Sequence, residues 1–211
     1  MPASEPPPPG RVLRGMEAAD AVRAPDALPA ALASDAELLA RIVDGDRPAF
    51  RLLYLRYHAR LYRFVLRLIH RPELTEEVVN DVMLTVWQKA DQFRGDAAVA
   101  TWLFGIAYRR GLKTLRRWPL PVDPAARPES ADPAAVPERA VDQDLEAVRL
   151  QRGLAQLSPE HRAVVELTYF FGHSCAEVAA IVNCPVNTVK TRLFHARRRL
   201  QDWLMENANN A

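Results

Sequence analysis

Cysteine is scarce in this chain of 211 residues. Cys175 and Cys184 are the two present, too few for a disulfide framework, and both are expected as small core residues in a reducing, cytoplasmic setting. Histidine is sparse as well: five are scattered along the chain, and His173-Ser174-Cys175 is too short and isolated to resemble a zinc site, so no metal is expected. Only eight glycines occur, none in a phosphate-cradling loop, and no nucleophile–base pair is recognisable. Neither catalysis, nor a cofactor, nor a small-molecule substrate is therefore expected. No apolar run approaches the roughly 18–20 residues needed to cross a bilayer, and the N-terminus has no hydrophobic segment after its charges. Membrane insertion and secretion are not expected. Strand-type alternation is also missing, which points to an all-α fold.

What the chain does have is proline, helical periodicity and segregated charge. Residues 1–33 are rich in Pro, Ala and Arg without an apolar face, and read as a disordered extension. Ser34 and Glu37 suggest a capping box before a short helix to about Asp44. Gly45-Asp46 breaks it, and Pro48 suits the first turn of a long helix to about Ile69. A third helix is expected over Thr75–Phe93 and a fourth over Val99–Trp118, separated by a turn at Arg94-Gly95-Asp96-Ala97. Residues 119–137 hold six prolines and mostly acidic charge, and read as a flexible linker. A second small helical domain follows over 138–206. Leu145, Val148, Leu150 and Leu154 suggest its first helix; Ser158 as N-cap with Pro159 starts the next, which carries Val164, Val165, Leu167, Tyr169 and Phe170 and ends at Gly172.

The stretch SCAEVAAIVNCPVNTVKTRLFHARRRL (174–200) carries the most information. Ser174 and Glu177 form a capping box, and Val178, Ala179, Ile181 and Val182 form an apolar face. Pro185 interrupts the pattern, which resumes near Val186. In the helix that follows, Val189, Leu193, Ala196 and Leu200 share one stripe, while Thr188, Thr191, Arg192, His195, Arg198 and Arg199 fall largely opposite. A cationic run alone is more often a solvated face than a DNA reader. A short capped helix, a tight turn and a basic second helix together form a helix-turn-helix whose second helix suits a major groove.

The net charge of +2 hides a strong segregation. Arg109, Arg110, Lys113, Arg116 and Arg117 form one cationic cluster, and Lys190, Arg192, Arg197, Arg198 and Arg199 another. Residues 119–146 between them are mainly acidic. Two basic surfaces around an acidic spacer suggest two contacts with one polyanion.

Three passages in order resemble the bacterial RNA polymerase sigma factors of the sigma-70 family, in its extracytoplasmic-function (ECF) group. They are TEEVVNDVMLTVWQKADQFRG (75–95), AAVATWLFGIAYRRGLKTLRR (97–117) and LSPEHRAVVELTYFFGHSCAEVAAIVNCPVNTVKTRLFHARRRL (157–200). The resemblance covers about 35–117 and 138–204, and implies a region 2 domain over 34–118 and a region 4 domain over 138–206. Core RNA polymerase, through its largest and second-largest subunits, promoter DNA and an anti-sigma factor are the implied partners. The implied role is promoter selection and melting, in a stress response. A freestanding helix-turn-helix regulator is the alternative.

The resemblance also implies roles for residues. Glu77, Asn80, Asp81, Leu84 and Gln88 would meet the polymerase; Asn80-Asp81 stands where the family usually has Gln-Glu. Arg94, Gly95, Asp96, Thr101 and Trp102 resemble the loop and helix start that capture a base of the −10 element, with Trp102 equally suited to the core. Arg109, Arg110, Lys113, Arg116 and Arg117 would hold phosphates of the opening duplex. Sigma factors melt DNA without ATP by preferring the separated strand, and each stacked base contributes about 1–3 kcal/mol. Asn187, Thr188, Lys190, Thr191, Arg192, His195, Arg198 and Arg199 would read the −35 element. Asn187 and His195 depart from the family's usual residues, which leaves the promoter sequence open.

Overall fold

The computed structural model describes residues 33–118 and 141–207, without the side chains of 141–146. Most of the expected extension and all of the expected linker lie outside the described residues. Eight α-helices appear in chain order: α1 (Asp35–Val43), α2 (Arg47–Ile69), α3 (Pro72–Lys89), α4 (Val99–Arg117), α5 (Val141–Ala155), α6 (Pro159–Val165), α7 (Cys175–Val182) and α8 (Val186–Glu206). Among the described residues there is no strand.

Local sequence explains most of the boundaries. Gly45 takes a φ of 82°, and Asp46 caps α2 by accepting the Ala49 amide at 2.9 Å. His70, at a φ of 52°, ends α2 and donates its amide to the Leu66 carbonyl. Helix α3 starts three residues before the expected Thr75, because Pro72 supplies its first-turn residue. It gives way at Ala90–Gln92 to a tighter 3₁₀ turn, short of Phe93. Ser158 caps α6 as expected, accepting the His161 amide. The helix expected to continue to Phe170 instead widens into a π-turn over Glu166–Phe170, which leaves Tyr169 and Phe170 largely exposed.

Helices α1 to α4 surround a core of Leu38, Leu53, Leu61, Phe64, Val82 and Leu103, each essentially inaccessible. Asp35 ties α1 to α2 by accepting hydrogen bonds from Tyr57 and Arg56. Helix α4 packs tightly on α2 at Gly111, where a Cβ would lie 2.7 Å from Leu68 Cδ2. Helices α6, α7 and α8 share a second core of Val164, Leu167, Val178, Ile181 and Val189, with Leu154 of α5 closing it. The helices from α1 onward form one compact unit, in which α7 packs along α4.

Candidate nucleic-acid and polymerase interfaces

Helix α3 buries Val78, Val79, Val82, Met83 and Val86. Its other face presents Glu77, Leu84 and Gln88 to solvent, with Asn80 and Asp81 half-exposed between them. These positions recur every three or four residues and form one stripe. Asp81 is already engaged: its Oδ2 accepts Arg110 Nη1 of α4 at 3.2 Å, while Arg110 Nη2 donates to Thr85 Oγ1 at 3.1 Å. Thr85 in turn donates to the Asp81 carbonyl at 2.7 Å. The pair links the expected polymerase-facing stripe to the expected DNA-facing helix. Sequence spacing could not show this, because 29 residues separate the partners.

The turn after α3 exposes Arg94, Gly95 and Asp96, and Gly95 takes a φ of 79°. Trp102 is half-buried, with its ring 5.6 Å from that of Phe93. Thr101 is buried at 3% exposure, so its hydroxyl is not presented on the same surface. An open cleft of about 410 Å³ brings Trp102 together with Arg109, Arg110 and Lys113, and adds Lys89 and Gln92 from the α3 end. Those two additions were missed, since neither stands in a charge cluster or an apolar pattern. Arg116 and Arg117 are exposed further along α4. The cleft combines cations for phosphate with an aromatic edge for an unstacked base.

In the helix-turn-helix, both halves of the α7 capping box are present. Ser174 Oγ accepts the Glu177 amide at 3.3 Å, and the Ser174 amide donates to Glu177 Oε2 at 2.8 Å. The Ser174 side chain and amide hold the Glu177 carboxyl below its ordinary range. Asn183, at a φ of 52°, closes α7 and sets the turn; its role was not foreseen, although Asn tolerates this conformation better than most residues. Val189, Leu193 and Ala196 of α8 are buried. Asn187, Lys190, Thr191, His195, Arg198 and Arg199 are exposed, and Thr188 and Arg192 are half-buried. Thr191 spends its hydroxyl on the Asn187 carbonyl at 3.0 Å. Phe194, 61% exposed among these cations, was also missed: it lies outside the apolar stripe, and that displacement was the available signal. Cys175 and Cys184 are free and half-buried.

Two family models match the chain: "Sigma-70 region 2" over residues 53–118 and "Sigma-70, region 4" over residues 147–200. The ECF RNA polymerase sigma factor SigM of Mycobacterium tuberculosis is 38% identical over 167 residues, covering 79% of this chain and 83% of that protein. The chain belongs to the sigma-70 family of RNA polymerase sigma factors, in its ECF group. Solved structures agree with this sigma-factor fold. CnrH, in complex with the cytosolic domain of CnrY, matches with a TM-score of 0.63 at 25% identity, over 82% of this chain and 98% of that one. RpoE from Bartonella quintana, in complex with the anti-sigma factor NepR, matches with a TM-score of 0.58 at 27% identity, over 74% of this chain and 96% of that one. Among the described residues of this sigma factor, no group of His, Cys, Asp and Glu could hold a metal ion, and no helix is long and apolar enough to cross a membrane.

Proposed function

We propose that this chain is the promoter-specificity subunit of a bacterial RNA polymerase, acting in the cytoplasm without catalytic chemistry of its own and regulated by an anti-sigma factor. Its working domains are 34–118 and 138–206, joined through 119–137. The α3 stripe Glu77, Asn80, Asp81, Leu84 and Gln88 docks on core polymerase. The turn at 94–96 and the cationic α4 take hold of opened −10 DNA, and the exposed face of α8 reads the −35 duplex. The observation that carries this reading is the ordered pair of matched regions, each with a cationic helix facing solvent. A freestanding regulator would need the second region alone.

In α8, an Arg that reaches a guanine edge bidentately supplies about 1–3 kcal/mol of discrimination. Phe194 stands beside such groups and suits a thymine methyl. The test is transcription in vitro with holoenzyme reconstituted from core polymerase. Arg192→Ala with Arg198→Ala is expected to abolish −35-dependent transcripts while leaving core binding intact; normal initiation by the double variant would overturn the groove assignment. Asp81→Arg is expected to weaken core binding, with Arg110→Ala as the control that separates loss of docking from loss of the Asp81–Arg110 pair. Unchanged core affinity would remove Asp81 from the interface.

A further inference from the structure

Thr85 belongs neither to the polymerase-facing stripe of α3 nor to its buried face, yet it stands half-exposed at the seam with α4. Its hydroxyl is occupied twice. It donates to the Asp81 carbonyl at 2.7 Å, which fixes its proton and leaves its lone pairs for an incoming donor. Arg110 Nη2 of α4 supplies that donor at 3.1 Å, and Arg110 Nη1 reaches Asp81 Oδ2 at 3.2 Å. Both terminal nitrogens of one planar fork are thus held by two acceptors about one helical turn apart on α3. The guanidinium plane has little freedom to turn.

Stability is not what these bonds mainly supply, since the side chains of Arg110 and Asp81 are both well exposed and such pairs add little. Their effect is orientation. Arg110 lies where two openings meet: a recess that it shares with Glu77, Asp81 and Arg117, and the cleft of about 410 Å³ that holds Trp102 and Arg109. The two bonds use one N–H on each Nη and leave the other donors of the guanidinium, Nε–H among them, for a further acceptor. On Asp81 they use Oδ2, so holding Arg110 does not preclude the docking assigned to the same carboxylate. An arginine already fixed in one plane loses less freedom on meeting a phosphate than a mobile side chain does.

Resting on the sigma-factor reading, we infer that Thr85 and Asp81 are positioning residues for Arg110. They hold its guanidinium at the mouth of the α4 cleft, so that it meets a phosphate of the opened −10 strand without first having to be ordered. Thr85 touches no DNA itself and acts through Arg110.

The test is the affinity of preformed holoenzyme, at saturating core polymerase, for a promoter fragment melted across its −10 element. The fragment is taken from a transcript that wild-type holoenzyme starts on genomic DNA. Thr85→Val removes the acceptor at nearly equal size. It is expected to weaken binding to the melted fragment about fivefold, the upper end of what a half-exposed charged contact contributes, and to leave core affinity unchanged. Thr85→Ser restores the hydroxyl and is expected to restore binding. Arg110→Ala should flatten the slope of log affinity against log salt by about 0.7, the share of one phosphate on a single strand. In that background Thr85→Val should cause no further loss, because nothing is left for it to position. Wild-type binding by Thr85→Val overturns the assignment, as do additive losses in the double variant, an unchanged slope in Arg110→Ala, or a fall in core affinity alongside DNA affinity. The sigma-factor reading fails separately, if wild-type holoenzyme starts no transcript at all, and the inference falls with it.

Discussion

Arg162 shows what a single residue can do that sequence does not announce. A cation in the fourth position of a Pro-x-x-Arg helix start looks solvent-facing, yet its guanidinium is buried and donates to Leu154, Ala155 and Leu157 carbonyls at 3.0, 2.8 and 2.9 Å, besides Leu68. Leu154 and Ala155 lie at the end of α5, where carbonyls lack the regular i+4 amide, and although the Leu157 amide reaches the Leu154 carbonyl at 3.1 Å, a planar five-donor group serves several of these acceptors at once. Arg162→Ala takes a charged donor away from each of those buried carbonyls, and a buried acceptor that loses its partner costs about 1–3 kcal/mol where water cannot replace the donor. We expect a loss on the order of 3 kcal/mol in the denaturant-unfolding free energy, and Arg162→Lys to recover only part of it. A loss under about 1 kcal/mol would mean that water fills the site. Residues of this kind were illegible because their partners are carbonyls, which every residue carries. By contrast, Thr191, His195, Arg198 and Arg199 were legible: they are exposed on the side of the helix largely opposite an apolar stripe, and periodicity reports faces directly.

At the scale of elements, caps written in side chains were readable and backbone-defined ends were not. Ser158 and Ser174 cap helices as expected, and Asp46, read only as part of a break, caps α2. The earlier start of α3, the αL turn at Asn183 and the π-turn at Glu166–Phe170 depend on backbone geometry and packing that a residue pattern does not specify. Tyr169 and Phe170 were read as part of an apolar helical run, and the widened turn carries them onto the surface. The Ser174 cap gives a measurable pH signature. Glu177 has its folded pKa held down, chiefly by the Ser174 hydroxyl and then its amide, so its contribution is present above the unfolded value of 4.5 and is lost as pH falls through the folded value. Ser174→Ala is expected to cost about 1 kcal/mol at neutral pH. It should also reduce the steepness of acid destabilisation below pH 4.5, the range in which Glu177 takes up its proton. Urea midpoints measured across pH 3 to 7 would check both, and an unchanged acid limb would remove the Glu177–Ser174 interaction as its cause.

For the whole molecule, the arrangement of charge decides more than its sum. A net charge of +2 would give weak attraction to DNA if spread evenly, yet α2 carries six arginines without a carboxylate, and α4 and α8 carry five Lys or Arg each. The two clusters and the helix pattern made the family resemblance readable from sequence. The contact between the halves was not readable, because Arg67 and Glu166 stand 99 residues apart and each looks like an ordinary surface charge. If the α8 cations hold phosphates in the promoter complex, binding releases condensed counterions, and the slope of log affinity against log salt scales as about −0.9 per phosphate neutralised on duplex DNA. Replacing both Arg198 and Arg199 by Ala should therefore flatten the slope for holoenzyme on promoter duplex by up to about 1.8. Leu84→Glu on α3 should weaken core affinity yet leave that slope unchanged once holoenzyme is saturated, because its surface meets protein and not phosphate. An equal change of slope in both variants would mean that the basic face of α8 acts through polymerase, and that its positive charge serves docking instead of promoter contact.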